Sequence, residues 1–159
     1  MEHYFVYTDG SCSNNGKSNA NAGIGVYFGD NDSRNVSERI TGKQTNNRAE
    51  LLAILKAGKI IGNDNVTIVS DSEYSIKCVT TYGKKCEENM WGSNIANKEL
   101  VKEVYEFFQG KCIDFKHVYS HTSKKDTVKE YAYFKNILGN NFNFIKNEHG
   151  QNNHSICDK

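Results

Sequence analysis

Short apolar runs separated by polar turns open the chain, and a helical period follows them. Tyr4–Thr8 is a β-branched and aromatic run that reads as a strand, closed by Asp9-Gly10. Ser11 to Ala22 is rich in Ser, Asn and Gly and reads as a loop, and Gly23 to Gly29 reads as a second strand. Asp30-Asn31-Asp32-Ser33 has turn chemistry, and Asn35 to Thr41 follows with Val36 and Ile40 at even spacing. Three strands on short polar links predict an antiparallel meander.

The period then changes. From about Asn47 to Ile61, Leu51, Ile54, Leu55 and Gly58 form one helical stripe, and Gly62 is placed to stop it. Val66-Thr67-Ile68-Val69 is a compact buried-type strand that ends at Ser70-Asp71, and Ser72 is a cap for a helix through Val79. Tyr82 to Asn94 reads as irregular or weakly helical, with Trp91 as a packing anchor. Asn97 caps a clear helix with Leu100, Val101, Val104, Phe107 and Phe108 on one face, closed by Gly110. Cys112 to Val118 is the fifth strand. The order β-β-β-α-β-α-α-β predicts an α/β fold, a five-stranded mixed sheet flanked by helices. After Ser120 the pattern weakens, with Thr127 to Leu138 readable as an amphipathic helix and Asn140 to Asn153 rich in Asn.

Composition narrows this picture little. The 159 residues suit a single domain over 1–159, with an insertion or divergent tail at about 127–152. The net charge of +1 argues against a general nucleic-acid coat, so any such contact must be local. No apolar run reaches membrane-spanning length, and no membrane partner is expected. The five cysteines include no Cys-x-x-Cys pair, which points to free thiols in a reducing, intracellular compartment, cytoplasmic or nuclear. The expected state is a monomer.

The chemistry lies in three acids. Asp9 and Asp71 each follow an apolar strand, at the sheet edge where ligands gather in open α/β folds. If those strands are parallel neighbours, the two carboxylates stand roughly 5 Å apart, the interstrand spacing. Glu50, one turn inside the long helix, can reach the same point. Three carboxylates so close repel one another unless a cation joins them, and hard oxygen ligands favour magnesium or manganese. Two such ions about 3.5–4 Å apart suit phosphodiester hydrolysis. Each acid also has a plainer reading. Asp9-Gly10 fits a turn, Glu50 fits a capping box three residues after Asn47, and Asp71-Ser72 fits the start of a helix.

Taken together, Tyr7-Thr8-Asp9-Gly10-Ser11-Cys12, Gly23-Ile24-Gly25-Val26, Thr45-Asn46-Asn47-Arg48-Ala49-Glu50-Leu51 and Ser70-Asp71-Ser72-Glu73-Tyr74 resemble type 1 ribonuclease H. The resemblance covers roughly Tyr4 to His121 and implies the ribonuclease H-like fold. It also implies magnesium-dependent endonucleolytic cleavage of the RNA strand of RNA–DNA hybrids through two metal ions, giving 5′-phosphate and 3′-hydroxyl ends. By position it implies Asp9, Glu50 and Asp71 as catalytic metal ligands. Cys12, Ser13, Asn14, Asn15, Asn46, Asn47 and Glu73 correspond to the surface that reads RNA 2′-hydroxyls, a group that amides can both donate to and accept from. His121 falls at the position of a loop histidine that moves protons or assists product release, and His117 reads as structural.

The chain departs from the family in its tail. The fourth acidic ligand is missing at its usual distance, and Gly139-Asn140-Asn141 leads to no acid. Ile156-Cys157-Asp158-Lys159 resembles the end of that stretch, which makes Asp158 the fourth ligand, with Asp126 as the alternative. The family's basic handle is reduced to Lys77, Lys84 and Lys85, diluted by Glu87 and Glu88, so weak, salt-sensitive contacts to the DNA strand are expected. Glu73 replaces an amide common in relatives. The competing functions are a hybrid- or double-stranded-RNA-binding module without turnover and a DNA-acting nuclease on the same fold.

Overall fold

The computed structural model describes residues 3–29, 31–62, 65–92 and 94–118. Within them the elements are β1 (Tyr4–Ser13), β2 (Asn21–Tyr27), β3 (Val36–Arg39), α1 (Asn46–Ile61) and β4 (Val66–Ser70). They continue with α2 (Glu73–Val79), α3 (Thr81–Glu88), α4 (Lys98–Phe108) and β5 (Ile113–His117). The five strands form one mixed sheet in the order β3-β2-β1-β4-β5. β1, β2 and β3 make the expected antiparallel meander, while β4 joins β1 and β5 joins β4 in parallel. Among the described residues no helix is long and apolar enough to cross a membrane.

β1 does not stop at Asp9-Gly10. It runs on to Ser13, and β2 begins at Asn21, so most of the expected loop is paired backbone: Gly10 opposite Ile24, Ser11 opposite Gly23, Ser13 opposite Asn21. Ladder hydrogen bonds to the neighbouring strand outweigh the poor strand propensity of Gly and Ser there. The connection tightens to a few residues around Asn14 and Gly16, both at positive φ.

α1 follows its stripe. Leu51, Ile54, Leu55 and Gly58 are buried, and Gly62 ends the helix at φ 71° with its N–H donating to the Gly58 carbonyl. The stripe joins Val6, Val26, Val66 and Ile68 of the sheet and Val101, Val104 and Phe108 of α4 in one core. Gly58 makes the α1–α4 contact possible, because a Cβ there would lie 2.6 Å from the Phe108 ring and 2.7 Å from the Phe107 ring.

The stretch read as irregular or weakly helical contains α3, with buried Gly83 and Cys86. A Cβ at Gly83 would lie 2.4 Å from the Tyr105 ring, so α3 packs there by close backbone approach, which no hydrophobic period announces. Ser72 caps α2, its hydroxyl accepting from the Ser75 N–H at 3.1 Å. Asn97 precedes α4 in the left-handed region and makes no side-chain cap bond, unlike the cap expected of it. Cys12, Cys78 and Cys86 are free thiols, whereas Cys112 is disulfide-bonded, against the expectation of free thiols. The Thr127–Leu138 helix expected from the sequence lies outside the described residues.

Candidate active site

The parallel pairing of β1 and β4 matches Tyr7 with Val69, so Asp9 and Asp71 stand two residues further along neighbouring strands at the same sheet edge. Glu50 approaches from α1, one turn inside the helix. One carboxylate oxygen from each of Asp9, Glu50 and Asp71 lies within 4.8 Å of the others. Asp9 and Glu50 are each only 4% exposed. Both Asp71 oxygens and Asp9 Oδ1 are buried as well.

Gly10 holds this geometry. Its N–H donates to Glu50 Oε1 at 2.9 Å, which fixes the glutamate beside Asp9. A Cβ on Gly10 would lie 2.4 Å from the Glu50 nitrogen and 2.5 Å from the Ala49 carbonyl carbon. The Asp-Gly pair is therefore no turn. Aspartate supplies the carboxylate, and glycine lets the helix backbone close on the strand.

The donor set suits a hard divalent cation. Oxygens on opposite sides of a magnesium ion stand about 4.2 Å apart, and around a larger calcium-type ion about 5 Å. The three carboxylates are thus gathered at coordination spacing, and all their donors are oxygen. Two of the three are withdrawn from water, where carboxylates that close repel one another strongly without a compensating cation.

The start of α1 is built from the Thr-Asn-Asn-Arg stretch. Thr45 is the cap, its hydroxyl accepting from the Arg48 N–H at 3.2 Å, so the capping-box reading around Asn47 does not hold. Arg48 folds back, donating from Nε to the Lys43 carbonyl at 2.8 Å and from Nη2 to the Thr41 carbonyl at 3.2 Å. The Asn46 N–H donates to Asn15 Oδ1 at 3.0 Å, which ties the β1–β2 turn to the helix. Asn14 and Asn47 are exposed, and Asn46 is half-buried. Ser13 Oγ donates to the Asn21 carbonyl at 3.5 Å. Cys12 Sγ donates to the Gln44 carbonyl at 3.7 Å, and burial pushes this thiol's pKa up. An open groove of about 840 Å³ runs along this surface, lined among others by Asn15, Lys17, Lys43, Thr45, Asn46 and Asn97.

Of the residues expected from the sequence, Asp9, Glu50 and Asp71 come together, and Asn15, Asn46 and Asn47 share the groove. Glu73 stands exposed on the first turn of α2, paired with Lys77 at 3.5 Å. Lys84, Lys85, Glu87 and Glu88 are all exposed on α3, two positive charges followed by two negative ones. His117 ends β5, paired with Ser70. His121, Asp126 and Asp158 lie outside the described residues. Neither Lys43 nor Gln44 has a site role in the sequence reading, and Asn97 appears there only as a helix cap. For Gln44 the available signal was a glutamine directly before a capping threonine.

A five-stranded mixed sheet with buried carboxylates gathered at one edge defines an α/β protein with a candidate divalent-cation centre. The chain belongs to the RNase H family, whose family model matches residues 1–131. It is 38% identical over 128 residues to ribonuclease H1 of Mus musculus, covering 76% of this chain and 45% of that protein. The chain thus spans a little under half the length of that curated relative. Among solved structures it is similar to LC9-RNase H1, a type 1 RNase H with the type 2 active-site motif, at 25% identity and a TM-score of 0.59, covering 82% of this chain and 68% of that one. It also shares its fold with LC11-RNase H1 in complex with RNA/DNA hybrid, at 21% identity and a TM-score of 0.52, covering 84% and 98%.

Proposed function

We propose that this domain is an endonuclease that hydrolyses the RNA strand of RNA–DNA hybrids. The observation that carries the reading is the cluster of Asp9, Glu50 and Asp71, within 4.8 Å of one another, on the same fold edge as an amide-rich groove. Family membership supports it, as does a protein of the same fold captured on RNA/DNA hybrid.

Asp9, Glu50 and Asp71 would hold two magnesium ions, with manganese as a substitute, and Asp158 would complete the set. Bound there, the ions supply charge neutralisation at the scissile phosphate and activation of a water. The reaction adds water across the P–O3′ bond, leaving a 3′-hydroxyl on one fragment and a 5′-phosphate on the other. Glu50 keeps one oxygen engaged by the Gly10 N–H, which holds its carboxylate beside Asp9 and Asp71. His121 would take up or deliver protons near that phosphate.

Asn46, Asn47 and Asn15, with Cys12, Ser13, Asn14 and Glu73, form the strand-reading surface. Asn15 Oδ1 accepts from Asn46, which leaves its Nδ2 as a donor for a ribose or phosphate oxygen. Lys17 and Lys43 border the groove and provide local positive charge on a chain whose net charge is only +1.

The test uses an end-labelled RNA–DNA hybrid with magnesium, the wild-type chain beside Asp71→Asn, and EDTA as control. Cleavage of the RNA strand by wild type alone, with 5′-phosphate products, is expected. Hybrid binding without any magnesium-dependent cut would favour a binding module. Efficient cutting of an all-DNA duplex would overturn the substrate class.

A further inference from the structure

Gln44 is the most heavily bonded side chain beside the groove, and nothing in the proposed chemistry uses it. Its Oε1 accepts from the Ala22 N–H at 2.7 Å. Its Nε2 donates to the Ile40 carbonyl at 2.8 Å and to the Gly42 carbonyl at 2.9 Å. An amide nitrogen carries two hydrogens, so both donors of this side chain are spent within the protein. Gln44 therefore has no donor left for a substrate, although it borders the groove.

The bonds reach well-anchored points. Ala22 is fully buried at the start of β2, and its own carbonyl accepts from the Ile40 N–H at 3.1 Å. Gly42 sits at φ 79°, at the sharp bend between β3 and α1. The backbone carbonyl of Gln44 takes up a fourth contact, from Cys12 on β1. One residue thus ties the β3–α1 bend to β1, to β2 and to Ile40 just past β3, immediately before Thr45, Asn46 and Asn47. Arg48 secures the same bend only from the helix side, through the Lys43 and Thr41 carbonyls.

We propose that Gln44 is a positioning residue for recognition of the RNA strand. It acts through the bend it clamps, holding Asn46 and Asn47 at the groove without touching the substrate. Glu50 is held independently, by the Gly10 N–H and by buried Ala49, so the metal cluster does not depend on the clamp. Binding and chemistry should therefore separate. The inference rests on the hybrid-cleaving reading above, and its test separates the two.

The test compares wild type with Gln44→Met, which keeps the length and loses every side-chain bond, and Gln44→Glu, which keeps the acceptor and sets oxygen against two carbonyls. Freed residues before the helix must be ordered again on binding, and KM for hybrid should rise by about tenfold or more in both variants. kcat at saturating hybrid and the magnesium concentration for half-maximal rate should stay within about threefold. Amide hydrogen exchange at residues 41–47 should quicken, with α1 from Leu51 onward unchanged. An unchanged KM, or a fall in kcat with KM constant, overturns the proposal. So does unaltered exchange at residues 41–47. If the wild type cuts no hybrid, the functional reading fails, while the exchange measurement still decides whether the clamp exists. If Gln44→Met does not fold, Gln44→Glu decides by the same two readouts.

Discussion

Adding one methyl group at Gly10 is the sharpest perturbation of this fold. A Cβ there meets the Glu50 nitrogen at 2.4 Å, the Ala49 carbonyl carbon at 2.5 Å and the Ala49 oxygen at 2.8 Å. Unstrained contacts of this kind lie at about 3.5–4.0 Å, so the start of α1 must retreat by about 1 Å. Ala49 has no room to give, because it is fully buried against Ala22, Ile24 and Ala53. Overpacking of this kind costs about 1–3 kcal/mol. The retreat also stretches the 2.9 Å bond from the Gly10 N–H to Glu50, a charge-assisted bond worth about 1.5–3 kcal/mol. The lower entropy of the unfolded alanine chain offsets about 0.4–1 kcal/mol. A net loss of about 2–5 kcal/mol follows, which for a domain of this size lowers Tm by about 5–15 °C. The displacement of Glu50 from the cluster is a separate effect, and a shift of about 1 Å can reduce turnover about 100-fold.

The assay is thermal unfolding by circular dichroism, with hybrid cleavage measured well below the lowered Tm. Gly62→Ala is the control. Gly62 sits at φ 71° with nothing near its would-be Cβ, so alanine there is strained without crowding the site. It should lower Tm and leave kcat/KM for the folded protein unchanged. A Gly10→Ala protein with Tm within about 1 °C of wild type and unaltered kcat/KM would refute the close-approach reasoning.

Further outcomes are expected. Thr45→Ala removes the α1 cap and should destabilise by about 1 kcal/mol in urea unfolding, while Thr45→Ser restores most of it. Glu87→Lys with Glu88→Lys turns the exposed mixed charge of α3 basic. It should tighten hybrid binding at low salt and steepen the log–log salt dependence by about 1–2 in slope, read by fluorescence anisotropy. Burial raises Tyr7 and Tyr74 from 10.0 to about 12 and Cys78 from 9.0 to about 11. A raised folded pKa contributes stability below the unfolded value and loses it as pH climbs. Stability should therefore fall between about pH 9 and 12, with tyrosinate absorbance rising together with unfolding and Cys78 unreactive to a thiol reagent at pH 8. Glu50→Gln keeps the bond to Gly10 but removes a negative charge. It should raise the magnesium concentration for half-maximal rate and lower cleavage at least about 100-fold with little change in Tm.

Much of this was written in local pattern. The strands around Tyr4–Thr8 and Val66–Val69 and the α1 stripe are runs of apolar residues at period 2 or 3.6, and such periods need no knowledge of distant partners. Because Asp9 and Asp71 each follow a short apolar run, and Glu50 follows a helix start, the sequence alone nominated all three acids. Resemblance then tied them to one chemistry.

Other features depend on residues far apart in the chain. β1 continues through Gly10 to Ser13 because β2 supplies its ladder partners, and no local propensity encodes that pairing. α3 forms around Gly83 because Tyr105 of α4 lies against it. The capping role went to Thr45 rather than Asn47, since the bend fixed by Gln44 and Arg48 decides where the helix begins. Gly10 is a turn glycine by sequence and a contact glycine in the fold. By itself the sequence determined which acids are candidates for the site, since residue type and local period are local properties. Only the tertiary structure decided how they are held, because a parallel register, a 2.9 Å amide bond and a helix seated on a glycine arise when separate elements pack.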